Sequence, residues 1–179
     1  MRFDSSFYQQ DILDVAPELV GAVLVRKFDD GSIGRHTIVD IEIYRGVEDL
    51  ACHASKGKTI RNSVMFEQGG LVYVYFIYGI HWMLNVVTGN RNDPQAILIR
   101  GVHDCEGPAR LAKKLAINGA FYGEDLTSSQ RLWIEPSSHM NYQVAPRIGV
   151  YYAGGYWQNM PWRYFVGSGA ALTLPRKNS

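Results

Sequence analysis

From Leu71 to Asn85 the chain reads LVYVYFIYGIHWMLN, an apolar and aromatic stretch with no charged residue. Residues of this kind favour strands. Tyr78-Gly79 interrupts the run, and a second apolar run continues from Ile80 to Val87. The pattern predicts two strands joined at a tight corner, with Gly79 supplying backbone freedom and Tyr78 at the tip of the hairpin. Leu71, Tyr73, Tyr75 and Ile77 fall on one face, and Val72, Val74, Phe76 and Tyr78 on the other. Neither face is polar, so both should be covered. Protein core on both sides satisfies this, and so does a flat ligand, such as a nucleobase, against some of the aromatics.

Around this hairpin the polar punctuation predicts short elements. Phe7–Leu19 is a helical stretch ending at Gly21, with Pro17 near a start or forcing a break into two pieces. Val20–Phe28 is a strand, Asp29-Asp30-Gly31 a turn, and Arg35–Tyr44 the second strand of a hairpin. Gly46–Ser55 has room for one helical turn, and 56–62 is a polar, basic loop. Ala96–Val102 is a strand interrupted by Arg100, which as a lone strand cation reads first as a snorkelling edge residue. Gly107–Ala116 is an amphipathic helix entered at Pro108, with a basic outer face. Leu132–Glu135 and Pro146–Tyr152 are short strands, Gly154-Gly155 is a turn, Pro161–Val166 is a last strand or turn, and the tail from Pro175 is polar.

One strand breaks the apolar pattern informatively. In TIVDIEIY, alternation sends Val39, Ile41 and Ile43 toward a core and Ile38, Asp40, Glu42 and Tyr44 to the other face. Two carboxylates there fit a solvated face, or a carboxylate held at the wall of a site. Residues two apart on a strand lie roughly 6.5–7 Å apart at Cα, which suits paired-carboxylate chemistry in a small-molecule hydrolase.

The chain has 179 residues, 46% of them hydrophobic, enough for one domain with a sizeable core. Its net charge is +1, so no strongly basic character advertises nucleic acid. Local basic groups occur at Lys56, Lys58 and Arg61, at Arg110, Lys113 and Lys114, and at Arg176 and Lys177. No run reaches the length of a membrane span, and MRFDSSFYQQDILD is polar and acidic where a signal peptide carries its apolar core. A cytoplasmic protein without membrane partners is expected. Cys52, Cys105 and the five histidines have no metal-site spacing, so no metal and no cofactor are expected.

The stretches DIEIYRGVEDLACHASKGKTIRNSVMF, LVYVYFIYGIHWMLNVV, AILIRG, GPARLAKKLAIN and APRIGV, then PWRYFV, occur in this order. From about Phe7 to Val166 the chain resembles the alkyladenine (3-methyladenine) DNA glycosylases. The resemblance implies an α+β fold: one mixed domain around a curved antiparallel sheet, helices packed on one side, and a protruding hairpin that intercalates into DNA. It implies removal of damaged purines from double-stranded DNA by a monomer that flips the nucleotide into a pocket. Glu42 matches the carboxylate that activates water, and Arg100 an arginine beside the same water and the sugar-phosphate. Tyr44, His53 and Tyr75 match the base pocket. Asn85 matches a residue that crowds the 2-amino group of guanine, and Tyr78 the intercalating wedge. Lys58, Thr59 and Met65 fall at the DNA backbone or groove by the same resemblance.

Two departures stand out. Between Arg100 and Gly107 the chain has only GVHDCE, where family members usually carry a longer segment with a helix, and Ile60 stands where the family usually has proline. A binding-only relative that recognises damaged nucleic acid without cutting is the nearest rival, and the presence of Glu42 argues against it. The paired-carboxylate hydrolase leaves Tyr78, Asn85 and Arg100 without roles.

Overall fold

The N-terminal stretch does fold as two helices, but the break falls at Gln9–Asp11 and not at the proline. Helix α1 (Ser5–Tyr8) is capped by Asp4, and α2 (Ile12–Leu19) by Asp11, whose side chain accepts the Leu13 N–H at 2.9 Å. Pro17 lies inside α2, and the helix continues past it to bury Ile12, Val15, Ala16 and Leu19. These elements belong to a computed structural model that describes residues 1–167; the polar tail with Arg176 and Lys177 lies outside the described residues.

Strand β1 (Val23–Lys27) and the long β2 (Ile33–Arg45) form the first hairpin. The predicted central hairpin is present as β3 (Val72–Ile77) and β4 (His81–Val87), in register from Val72↔Val86 to Ile77↔His81. Strand β5 (Gln95–Val102) pairs with β4 and β2. The two-residue β6 (Cys105–Glu106) turns straight back on β5, Val102 against Cys105, so the short GVHDCE segment is a tight hairpin. Helix α3 (Pro108–Lys114) follows, then β7 (Leu132–Glu135) on the far side of β1. The path through the sheet is β3-β4-β5-β2-β1-β7, and every pairing among the described strands is antiparallel.

The segment 146–152 is not a strand. The strand is β8 (Gln143–Ala145), and residues 151–153 form a 3₁₀ turn leading into a short helix, α4 (Gly154–Gln158), where a turn was expected. The reason is local: Arg147 is turned into the interior, Ile148 gives its N–H to a side chain, and Gly149 has φ +76. A ladder cannot form where the amides are committed elsewhere. Strand β9 (Arg163–Phe165) closes the order and pairs with β8 and with β2 at Asp40–Glu42.

β2 also departs from simple alternation. Its register on β5 shifts between Ile38 and Asp40 and again between Asp40 and Ile41, leaving Val39 and Arg100 unpaired. This β-bulge re-phases the strand. Ile38, and not Val39, joins Ile41 and Ile43 in the core, while Val39 is only half-buried.

Two apolar layers result. On one face Ile41, Ile43, Val72, Val74, Leu84, Val86, Ile97 and Ile99 pack under α2 and α3. On the other, Tyr73, Val87 and Ala96, flanked by Tyr44 and Tyr75, lie under two 3₁₀ turns, His53–Lys56 and Ser63–Phe66. Both faces of the hairpin are thus covered near its base, by protein on each side. Gly69 closes that base: a Cβ there would meet the Tyr8 carbonyl oxygen at 2.1 Å, so only glycine lets α1 and the strand end approach.

Candidate active site

A row of paired residues crosses the sheet on the second face. Glu42 faces Leu98, Leu98 faces Asn85, and Asn85 faces Tyr73. One step along, Tyr44 and Val87 both oppose Ala96, and Tyr75 opposes Met83. The small Ala96 between larger neighbours leaves space. Tyr44, His53, Tyr73, Tyr75, Asn85 and Ala96, with Ala51, Met65 and Tyr152, line an open-mouthed cavity. Every residue expected in a base pocket is therefore on this wall.

Glu42 is fully buried. A buried carboxylate requires donors and a counter-charge. Its Oε2 accepts the Tyr44 hydroxyl at 2.8 Å, its Oε1 accepts the Ile148 N–H at 2.7 Å, and Arg100 Nη1 lies 3.2 Å from Oε1. Arg100 is no snorkelling edge residue: its side chain is mostly buried and faces Glu42 from the bulge. Asp40 stands beside it, 3.6 Å from Arg100 Nε, and is clasped by Arg163 through two bonds of 3.0 and 2.9 Å.

The rings are held as firmly. Burial, and then the negative charge of Glu42, hold the Tyr44 phenol well above its ordinary pKa, so it stays a donor. Behind it, Arg147 and Asp49 form a fully buried ion pair with bonds of 2.6 and 2.9 Å. The Arg147 guanidinium lies 4.9 Å from the Tyr44 ring centroid and also donates to the carbonyls of Ile43 and Trp157. Asp49 accepts the N–H groups of Arg45 and Ala51, which shapes the turn carrying Ala51 into the cavity wall.

His53 shares a 2.8 Å hydrogen bond at Nδ1 with the Tyr73 hydroxyl and meets Tyr75 edge-on at 4.6 Å. As a residue it is open to solvent at the cavity mouth, but the tyrosines enclose its ring. That desolvation, helped by the positive Arg61, lowers its pKa, so it is neutral at neutral pH. Asn85 is buried with its amide nitrogen tied to the Tyr73 carbonyl at 3.1 Å, so its orientation is fixed. Cys52 lies behind the wall, and burial pushes its thiol up to about 12, which leaves it unreactive.

The loop 57–62 is organised by Asn62. Its amide donates to the carbonyls of His53 and Gly57, both at 3.0 Å, and accepts the Thr59 N–H at 2.6 Å. Lys58 and Thr59 are exposed on this loop, with Lys58 3.4 Å from Glu67. Met65, expected at the DNA backbone or groove, is instead buried, because the 3₁₀ turn Ser63–Phe66 folds it inward onto the cavity. Arg61 bridges loop and hairpin, donating to the Phe76 carbonyl at 3.3 Å and lying 5.3 Å over the Tyr75 ring.

Tyr78 is 88% exposed at the hairpin tip, away from the cavity wall. Both Tyr78 and Gly79 have positive φ, 51° and 68°, and Ile80 N–H donates to the Ile77 carbonyl at 3.1 Å. Glycine was expected to absorb the corner alone, yet tyrosine shares it. Phe76 and Ile80 beside it are also exposed.

Asp49, Arg147, Arg163, Asn62 and Tyr152 were not singled out from the sequence. All but Tyr152 are polar residues whose spacing says nothing of the partners that long-range folding gives them.

The methylpurine-DNA glycosylase (MPG) family profile matches residues 6–104 and 103–169. The two pieces meet at the β5–β6 hairpin, where the chain is short. A relative from Borreliella burgdorferi (strain ZS7) is 38% identical over 177 residues, 91% of this chain and 95% of that protein. One from Legionella pneumophila (strain Corby) is 40% identical over 172 residues, covering 89% and 91%. One from Natranaerobius thermophilus is 33% identical over 191 aligned positions, covering 93% and 96%. Each is named "Putative 3-methyladenine DNA glycosylase". Among the described residues no helix is long and apolar enough to cross a membrane.

Proposed function

This chain belongs to the methylpurine-DNA glycosylase family, and from that premise we propose that it flips alkylated or deaminated purines out of duplex DNA and hydrolyses their N-glycosidic bond with water activated by Glu42. The substrates are 3-methyladenine, 7-methylguanine, hypoxanthine and ethenoadenine. The observation that carries the reading is the fully buried Glu42 directly behind Tyr44, a wall residue of an aromatic cavity, held there by the Tyr44 phenol, a backbone N–H and a guanidinium.

The chemistry follows from that arrangement. A flipped purine enters between Tyr44 and Tyr75, whose rings attract cationic bases by cation–π contact and stack on neutral ones. His53, neutral beside Tyr73, offers hydrogen bonds to the base edge without repelling a cationic lesion. The fixed amide of Asn85 crowds a 2-amino group and rejects normal guanine. Glu42 takes a proton from water as it attacks C1′, and its charge stabilises the developing oxocarbenium sugar. Arg100 holds Glu42 and the sugar-phosphate side of the nucleotide. Tyr78 fills the gap left in the stack, and Lys58 and Thr59 lie along the DNA backbone. Met65 supports the base from within the cavity. The enzyme is monofunctional: water, not an amine, displaces the base.

The test is excision from duplex oligonucleotides carrying one hypoxanthine, ethenoadenine or 3-methyladenine, read as alkaline strand breaks, for wild type beside Glu42→Gln. Breaks with wild type and none with Glu42→Gln support the assignment. No breaks with wild type on any lesion would turn the site into a binding-only one.

A further inference from the structure

Arg163 reaches the site from β9, directly across from Glu42 in the strand register. Its fork does not point to Glu42 but takes both oxygens of Asp40, at 3.0 Å to Oδ1 and 2.9 Å to Oδ2. Arg100 Nε lies 3.6 Å from that same Oδ2, beyond hydrogen-bond reach, and is buried with no hydrogen-bond partner. Arg100 thus stands between two carboxylates, bonded by charge to Glu42 at 3.2 Å and left with an unspent donor facing Asp40. A shift of roughly half an ångström would bring Nε into range of Asp40. Arg163 already engages both Asp40 oxygens through a bidentate fork, the strongest geometry for such a pair.

We propose that Arg163 is a positioning residue: by occupying Asp40 it keeps that carboxylate from capturing Arg100, whose guanidinium stays beside Glu42 and free for the incoming sugar-phosphate. The inference rests on the glycosylase reading of Glu42 and Arg100. Two carboxylates and two guanidiniums stand in this cluster, and β9, paired with β2, carries Arg163 into it. If Arg163 is removed, Asp40 loses its forked partner in a half-buried place, and Arg100 is the cation within reach.

The test uses the full chain with Arg163→Gln, Arg163→Lys and the double change Asp40→Asn/Arg163→Gln, in single-turnover excision of hypoxanthine from duplex DNA. Small misplacements of a catalytic group cost up to about a hundred-fold, so Arg163→Gln should lower the rate by about ten-fold or more. Arg163→Lys, which keeps charge and loses the fork, should fall between. The double variant should recover most of the rate, because the competing carboxylate is gone; it also removes both partners together, which protects the fold if the single variant is unstable. A double variant no faster than Arg163→Gln, or an Arg163→Gln rate equal to wild type, overturns the proposal. A wild type inactive on every lesion defeats the glycosylase reading instead. In that case the ¹⁵Nε–H resonance of Arg100 decides: a hydrogen-bonded shift in Arg163→Gln supports the competition, and an unmoved resonance refutes it.

Discussion

The hydroxyl of Tyr44 lies 2.8 Å from Oε2 of Glu42, two residues back on the same strand. One face of β2 therefore supplies both the ring wall of the cavity and the carboxylate beside it, and the strand's own period of two sets their distance. Ring position and carboxylate position are one structural variable.

Tyr44→Phe separates the two. It keeps the ring and removes the donor from a buried charge. Losing a hydrogen bond to a charged group in such a place costs on the order of 1–3 kcal/mol, so urea unfolding should show that loss. The donor also fixes the position of the carboxylate, so the excision rate should fall as well. An unchanged midpoint of unfolding together with an unchanged excision rate would mean that the bond matters for neither.

Asp49 and Arg147 support the same ring from behind. Breaking a buried pair leaves one charge uncompensated, a cost of about 3–5 kcal/mol. Asp49→Asn should therefore lower stability by that order and loosen both Tyr44 and the turn at Ala51. Chemical denaturation checks the first effect. Weaker binding of lesion-containing DNA by the folded fraction checks the second.

His53 gives a pH dependence whose sign is fixed by the direction of its shift. Its folded pKa lies below its ordinary value of 6.5, from desolvation first and Arg61 second. Above 6.5 it is neutral in both states and contributes nothing. As pH falls below 6.5 the unfolded chain takes up the proton first, so stability is lost on the way down to the folded pKa. Denaturation at pH 7.5 and 5.5 should show a smaller difference for His53→Gln than for wild type, and the His53 ring signals should titrate below 6.5 in the folded protein.

Much of this site could be read from residue order. The hairpin at Tyr78-Gly79, the strand carrying Glu42 and Tyr44, and the strand carrying Arg100 are strongly patterned, and strand register alone carries Asn85 and Ala96 to the same wall. The bulge at Val39–Asp40 was not legible, because Ile38 and Val39 are both apolar and alternation from Ile41 assigns the core to Val39; the re-phasing appears only when β5 is in place. The strand expected at Pro146–Tyr152 failed for a related reason. Its apolar residues look like a ladder, but its polar groups are needed by Glu42 and Asp49, which lie about a hundred residues away in the chain. Met65 was expected at the DNA backbone or groove by resemblance, and nothing in the sequence signals the 3₁₀ turn that folds it inward.

The hairpin tip offers the sharpest division between stability and function. Tyr78 holds φ 51° while its ring is 88% exposed, so the fold gains no packing that offsets the conformation. A non-glycine residue there costs roughly 1–2 kcal/mol, and strain kept without a structural return points to a task outside the isolated protein. Tyr78→Gly should leave unfolding free energy equal to wild type or higher by up to about 1 kcal/mol. The same variant, and Tyr78→Ala, should lose excision of paired lesions more than of lesions in single strands, since only a duplex has a gap to fill. Equal loss on both substrates would remove the wedge assignment, and a drop in stability on Tyr78→Gly would show that the tyrosine serves the fold after all.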